Sequence, residues 1–222
     1  MKDYREKELK MYILASVLLL ICLTKGYSMK METGEKIVAI AAVVDTTLAS
    51  SCIYMFAYIS DAIFSSEIKD KLVSVFGLIK KPAYKIFSDI EKKDLDSRFL
   101  KEDAIKHYKN IYDNMPKDKE QADIYQNAKW YKIYSKHRDV AMIYSSNRDY
   151  LLCRDMFIST ISLSVLYILS IVTKLFEFNK VYLLFLIIML LVNLLTTHIK
   201  ARRLVYNVIA YDLAHRDDEV KS

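Results

Sequence analysis

The residues of this 222-residue chain best placed to do chemistry lie in two settings. The first is an apolar run, residues 37–64, in which Asp45 is followed by Thr46, Thr47, Ser50 and Ser51. An ionised carboxylate in hydrocarbon is costly, so such a residue faces a bundle interior or water. Repeated around an oligomer, one Asp45 per subunit forms a ring of the kind that lines cation pores. The other reading is structural: a pair with Lys25 or Lys36, or a protonated carboxyl bonded to a neighbouring helix. In the last apolar run, Asn193, Thr196, Thr197 and His198 pose the same choice, a pore mouth or hydrogen-bonded helix contacts.

The second setting is polar. Lys129, Trp130, Tyr131, Lys132, Tyr134, Lys136, His137 and Arg138 interleave aromatics with bases. Such a surface stacks nucleobases and neutralises phosphates. Alternatively Trp130, Tyr131 and Tyr134 are core, and the bases form a solvated face. Lys80, Lys81, Lys85, Lys92 and Lys93 add charge, but bases beside a membrane also attract anionic lipid. Arg148, Asp149, Arg154 and Asp155 fall just before the third apolar run. They can share a helix face, pair with the surroundings of Arg202 and Arg203, and relay any gating movement. His107, His137, His198 and His215 are scattered, and the three cysteines form no C-x-x-C. No metal, cofactor or enzymatic activity is expected from these patterns.

The elements that carry these residues must be long helices. Gly and Pro together number 3 + 2 = 5 of 222 residues, where ordinary usage gives roughly 12%. Sheet-rich folds and phosphate-cradling glycine loops are excluded by that scarcity. Hydrophobic residues (53%) and charged residues (27%) are both abundant because they are segregated. Four apolar runs result: residues 11–24, 37–64, 156–176 and 181–199. The first covers about 21 Å as helix against a ~30 Å core. It reaches further if Lys25 snorkels. A cleaved signal is the alternative, but acids are mixed with the bases of residues 2–10, and no A-x-A-like site follows.

Bases collect before the first run, after the fourth and across residues 65–155. The positive-inside rule then places both termini in the cytoplasm of a multi-pass inner-membrane protein. The expected fold is an all-α integral membrane protein with four transmembrane helices and a helical cytoplasmic insert between spans two and three. Its divisions are residues 1–64 (tail and first hairpin), 65–155 (insert), 156–199 (second hairpin) and 200–222 (C-terminal helix or tail). In the insert, Ile68, Leu72, Val75, Phe76 and Ile79 predict a helix ending near residues 77–82. Asp96 or Ser97 caps a second helix, with Phe99, Ile105, Tyr108, Ile111 and Tyr112 as its stripe. A third spans 118–138, and a fourth runs from Val140 into span three. The stripes are modest, so oligomeric packing would help to bury them.

The run Gln126-Asn127-Ala128-Lys129-Trp130-Tyr131-Lys132-Ile133-Tyr134-Ser135-Lys136-His137 is followed by Asn147-Arg148-Asp149-Tyr150-Leu151-Leu152-Cys153-Arg154-Asp155 at the mouth of a span. With the plan of two spans, insert and two spans, this resembles the membrane effectors of bacterial anti-phage systems, notably the channel component of Hailong-type defence. The resemblance implies an oligomeric ion channel held shut by short single-stranded DNA, made by a partner nucleotidyltransferase. Release of the signal then depolarises the infected cell. A homo-oligomer in membrane lipid, with a tetramer as the working expectation, and a nucleotide or oligonucleotide ligand follow from it. The rival expectation is a non-conducting scaffold or sensor that recruits a soluble partner.

Overall fold

The computed structural model describes residues 2–25, 55, 59, 63–75, 77–174 and 176–215. Its helices are α1 (Lys2–Lys25), α2 (Ser66–Val73), α3 (Ile86–Lys92), α4 (Lys101–His107), α5 (Lys109–Asp113), α6 (Lys119–His137), α7 (Ala141–Val172) and α8 (Lys180–Ala214), with a 3-10 turn at Pro82–Tyr84. No strand occurs among the described residues. Among the described residues, two helices, α7 and α8, are long and apolar enough to cross a membrane. Helix α1 shares its length between charged residues 2–10 and the short apolar run 11–24. Most of the apolar run at 37–64, including Asp45, Thr46 and Ser50, lies outside the described residues.

The chain divides into two units, Met1–Val73 with Leu151–Leu195, and Ser74–Tyr150 with Thr196–Ser222. Helices α7 and α8 each contribute one part to each unit. In the first unit, Leu9, Ile13, Val17, Leu20 and Ile21 of α1 form a helical stripe. That stripe is buried with Leu163 and Tyr167 of α7 and Tyr182 and Leu186 of α8. Asn179 caps α8, its side-chain oxygen accepting from the backbone N–H of Val181 (2.9 Å) and Tyr182 (3.1 Å). Its amide also donates to the Leu23 carbonyl at 2.8 Å, which ties the α7–α8 link to the end of α1. Val165, Ile168 and Leu169 on α7, and Leu184, Ile188 and Leu191 on α8, are exposed. Exposed apolar side chains in such number suit lipid or a protein partner rather than water.

The second unit includes residues beyond the insert of 65–155. Its core joins Ile86, Phe87 and Ile90 of α3, Ala104 of α4, Tyr108, Trp130 of α6 and Ile143 of α7 to Leu204, Val205, Val208, Ile209 and Leu213 of α8. The modest stripes of residues 65–155 are therefore completed within one chain, by the continuation of α8 beyond residue 199. Five α8 side chains at about 1.5–3 kcal/mol each put the apolar contribution on the order of 10 kcal/mol, as an upper bound.

Local boundaries also shift. Helix α2 stops at Val73, where Val75 (φ 48°) and Gly77 (φ 91°) turn left-handed and the Ser74 carbonyl accepts from the N–H of Gly77 and Ile79, each at 3.0 Å. The expected second helix starts later, after Leu100, and is split into α4 and α5 at Tyr108. Asp96 binds Arg98 instead of capping that helix. Helix α6 matches its expectation closely: Asp118 caps it by accepting from Gln121 N–H at 2.9 Å. Helix α7 runs unbroken from Ala141, as expected.

Candidate functional site

The aromatic and basic run of α6 separates into two faces. Trp130 is only 8% exposed, stacks on Tyr134 with ring centres 5.4 Å apart, and donates its indole N–H to the Val205 carbonyl at 3.4 Å. It is core, so the reading of Trp130 as a stacking platform for a ligand is corrected. Tyr131 is exposed, Lys129 lies 5.0 Å from the centre of the Tyr125 ring, and Arg138 is exposed beside Asp139. Lys132 and Lys136, one turn apart, take a different position. They line a cleft of about 320 Å³ with His107, Tyr108, Ile111, Ile133, His137, Asp212 and His215.

Asp212 organises this cleft. Its carboxylate accepts from the Tyr108 hydroxyl at 2.8 Å and faces Nε2 of His137 at 2.7 Å and of His107 at 3.3 Å. Burial, followed by the Asp212 charge, pushes the Tyr108 hydroxyl well above its ordinary range, so it remains a proton donor. His215 stacks on Tyr211 at 3.9 Å, and Tyr211 meets His137 edge-on at 5.1 Å. Among the described residues that line the cleft, two lysines outweigh one carboxylate. The cleft thus suits an anion, with the lysine ammonium groups as point charges.

A larger cleft of about 540 Å³ contains Lys80, Lys81, Tyr84, Asp118, Lys119, Glu120 and Asp123. Three lysines there meet three carboxylates, and Lys80 is ion-paired with Asp123. Its charge cancels, so the smaller cleft is the better anion site.

The other expected residues fall as follows. Asn193 donates to the Tyr12 hydroxyl at 2.9 Å and to Thr160 Oγ1 at 3.0 Å, and those two oxygens lie 2.7 Å apart. This closed triad holds α1, α7 and α8 together, the helix-contact alternative. Thr197 is fully buried. Asp149 binds Lys200 at 2.9 Å and Arg148 at 3.1 Å. Burial pushes its carboxyl up, but these hydrogen bonds prevail and hold it below its ordinary value. Arg154 and Asp155 pair with Asp70 and Lys69 of α2, each at 3.3 Å. The expected pairing near Arg202 and Arg203 is replaced by these partners, and both arginines are exposed. Asp45, Thr46 and Ser50 lie outside the described residues.

Sequence reasoning missed His107, His137 and Asp212 as a group. They are remote in sequence and meet only because α8 continues past its apolar run. The one available signal was Tyr211, Asp212 and His215 within a single turn at the end of that continuation. Comparison with family models, curated proteins and solved structures returned no match.

Proposed function

We propose that this protein is an oligomeric ion-channel effector of bacterial anti-phage defence. Its gate responds to an anionic signal, a nucleotide or short single-stranded DNA, bound and released at the cleft of Lys132, Lys136, His107, His137 and Asp212. A partner nucleotidyltransferase supplies the signal, and opening depolarises the inner membrane. In this reading four spans cross the membrane, both termini and the cleft are cytoplasmic, and Asp45 sets cation preference.

One observation supports the reading most: α8 carries, in one uninterrupted helix, apolar residues 181–199 and the Asp212 of the anion cleft. A ligand that moves Asp212 therefore acts on a helix that is itself suited to the membrane. The test is ion flux from liposomes containing the full chain, titrated with short single-stranded DNA and with nucleotides. Ligand-dependent flux is expected, and Lys132→Glu with Lys136→Glu should abolish the ligand response by reversing two charges. Absence of flux under every ligand condition would sink the channel reading.

The scaffold reading draws on the Asn193 triad, in which a pore candidate is engaged within its own protomer. It predicts ligand binding and a stable soluble partner with no flux.

A further inference from the structure

Hydroxyl side chains are frequent in the apolar half of α7. In a helix with no other partner to hand, a serine or threonine hydroxyl donates back to a carbonyl about one turn earlier. Thr160 does so to Met156 at 2.8 Å, Ser164 to Thr160 at 2.8 Å, and Ser170 to Tyr167 at 2.7 Å. Ser159 and Ser162 depart from that pattern. They are 0% and 7% exposed, and neither Oγ has a hydrogen-bond partner among the described residues.

Their placement is not random. Asp155, Ser159 and Ser162 follow the i, i+4, i+7 spacing and fall within an arc of ~60° on one face of α7. Asp155 lies in the buried ion cluster with Lys69 and Arg154, each at 3.3 Å. The face thus begins at charged groups and continues as two buried hydroxyls. A buried hydroxyl without a protein partner is unfavourable unless water supplies one. Neighbouring Thr160 spends its hydroxyl on Met156 and the Tyr12–Asn193 triad, so it cannot serve that role.

We propose that the Asp155, Ser159 and Ser162 face of α7 lines a hydrated path inside the helix bundle, occupied by water and the small ions that it carries. This rests on the channel reading above and assigns part of the lining to α7. The two serine oxygens present lone pairs to a cation and hydroxyl protons to water, so they replace part of an ion's hydration shell without binding it tightly.

The experiment uses the full chain in liposomes with Cys22, Cys52 and Cys153 replaced, then Ser159→Cys, Ser162→Cys or Leu169→Cys. Leu169 is 52% exposed on the apolar surface and serves as the control. A charged methanethiosulfonate should modify positions 159 and 162 on the order of tenfold or more faster than 169, since the reacting thiolate forms only where water reaches. Modification should also reduce flux. Equal and negligible reaction at all three positions in folded protein, with full reaction after denaturation, overturns the proposal. Fast reaction at 159 and 162 in a protein that never conducts keeps the hydrated face and removes the channel reading, so the two failures separate. Ser159→Ala and Ser162→Ala give a second readout. In a dry interior they raise thermal stability by removing an unpartnered hydroxyl, whereas on a hydrated path they lower flux and leave stability unchanged or reduced.

Discussion

Asp212 shows how one side chain can serve both fold and site. It is the acceptor for the Tyr108 hydroxyl and the partner of two imidazoles. Asp212→Ala leaves the buried Tyr108 hydroxyl without its acceptor, at a cost of about 1–3 kcal/mol. Thermal unfolding should show that loss, and Tyr108→Phe in the same background should recover much of it. The recovery separates a hydrogen-bond penalty from a general packing defect. Asp96 makes a second residue-scale case. The hydrogen bond from Arg98, followed by the opposing effect of burial, leaves its carboxyl below the ordinary value. Arg98 in turn donates to Asn207 at 2.7 Å, and Asn207 donates to Ser146 at 2.6 Å. A carboxyl depressed in the folded state stabilises above its unfolded pKa, roughly 4, and loses that contribution as pH falls below it. The stability gap between wild type and Asp96→Asn should therefore be full at neutral pH and shrink below about pH 4. At this scale the sequence was partly legible. Lys132 and Lys136 share a face by spacing alone. Trp130 could not be assigned to core or surface, because the Val205 that covers it lies on a distant helix.

Helices were legible where one segment holds its own signals. Asp118 caps α6, and the apolar pattern carries α7 without a break. The split between α4 and α5 was not legible, because the stripe of Phe99, Ile105, Tyr108, Ile111 and Tyr112 is periodic across it. The apolar run of α8 ends near residue 199, and the structure carries the same helix without a break to Ala214, where the sequence offered a separate C-terminal helix or tail. Beyond the apolar run its stripe is narrower, but Leu204, Val205, Val208, Ile209 and Leu213 are all buried. Ile209→Ala, at a position with 0% exposure, should destabilise by about 2–5 kcal/mol. A chain ending at residue 203 should go further and leave residues 74–150 without a closed core. Limited proteolysis would check this: rapid cutting within 74–150 is expected, while residues 151–195 in detergent stay protected. Equal protection in both would mean that the insert folds without α8.

For the whole molecule, the scarcity of Gly and Pro becomes a statement about motion. Neither α7 nor α8 contains either residue, so no hinge of the usual kind interrupts them. On the proposed channel reading, a signal at Asp212 reaches apolar residues 181–199 along α8 itself, by movement of that helix as a body. Introducing a weak point into α8 tests that route without touching either end. Ala201→Gly with Arg202→Gly costs about 1 kcal/mol per position in helix propensity, at residues that lie outside the α8 core stripe. Ligand affinity should be retained, because Lys132, Lys136, His137 and Asp212 are unchanged. Basal conductance should also persist, since the apolar run is intact. The dependence of flux on ligand should be lost or strongly reduced. If the double-glycine protein still binds and still responds with an unaltered flux ratio, α8 does not carry the signal. Coupling would then have to pass through α7, the other helix shared by both units.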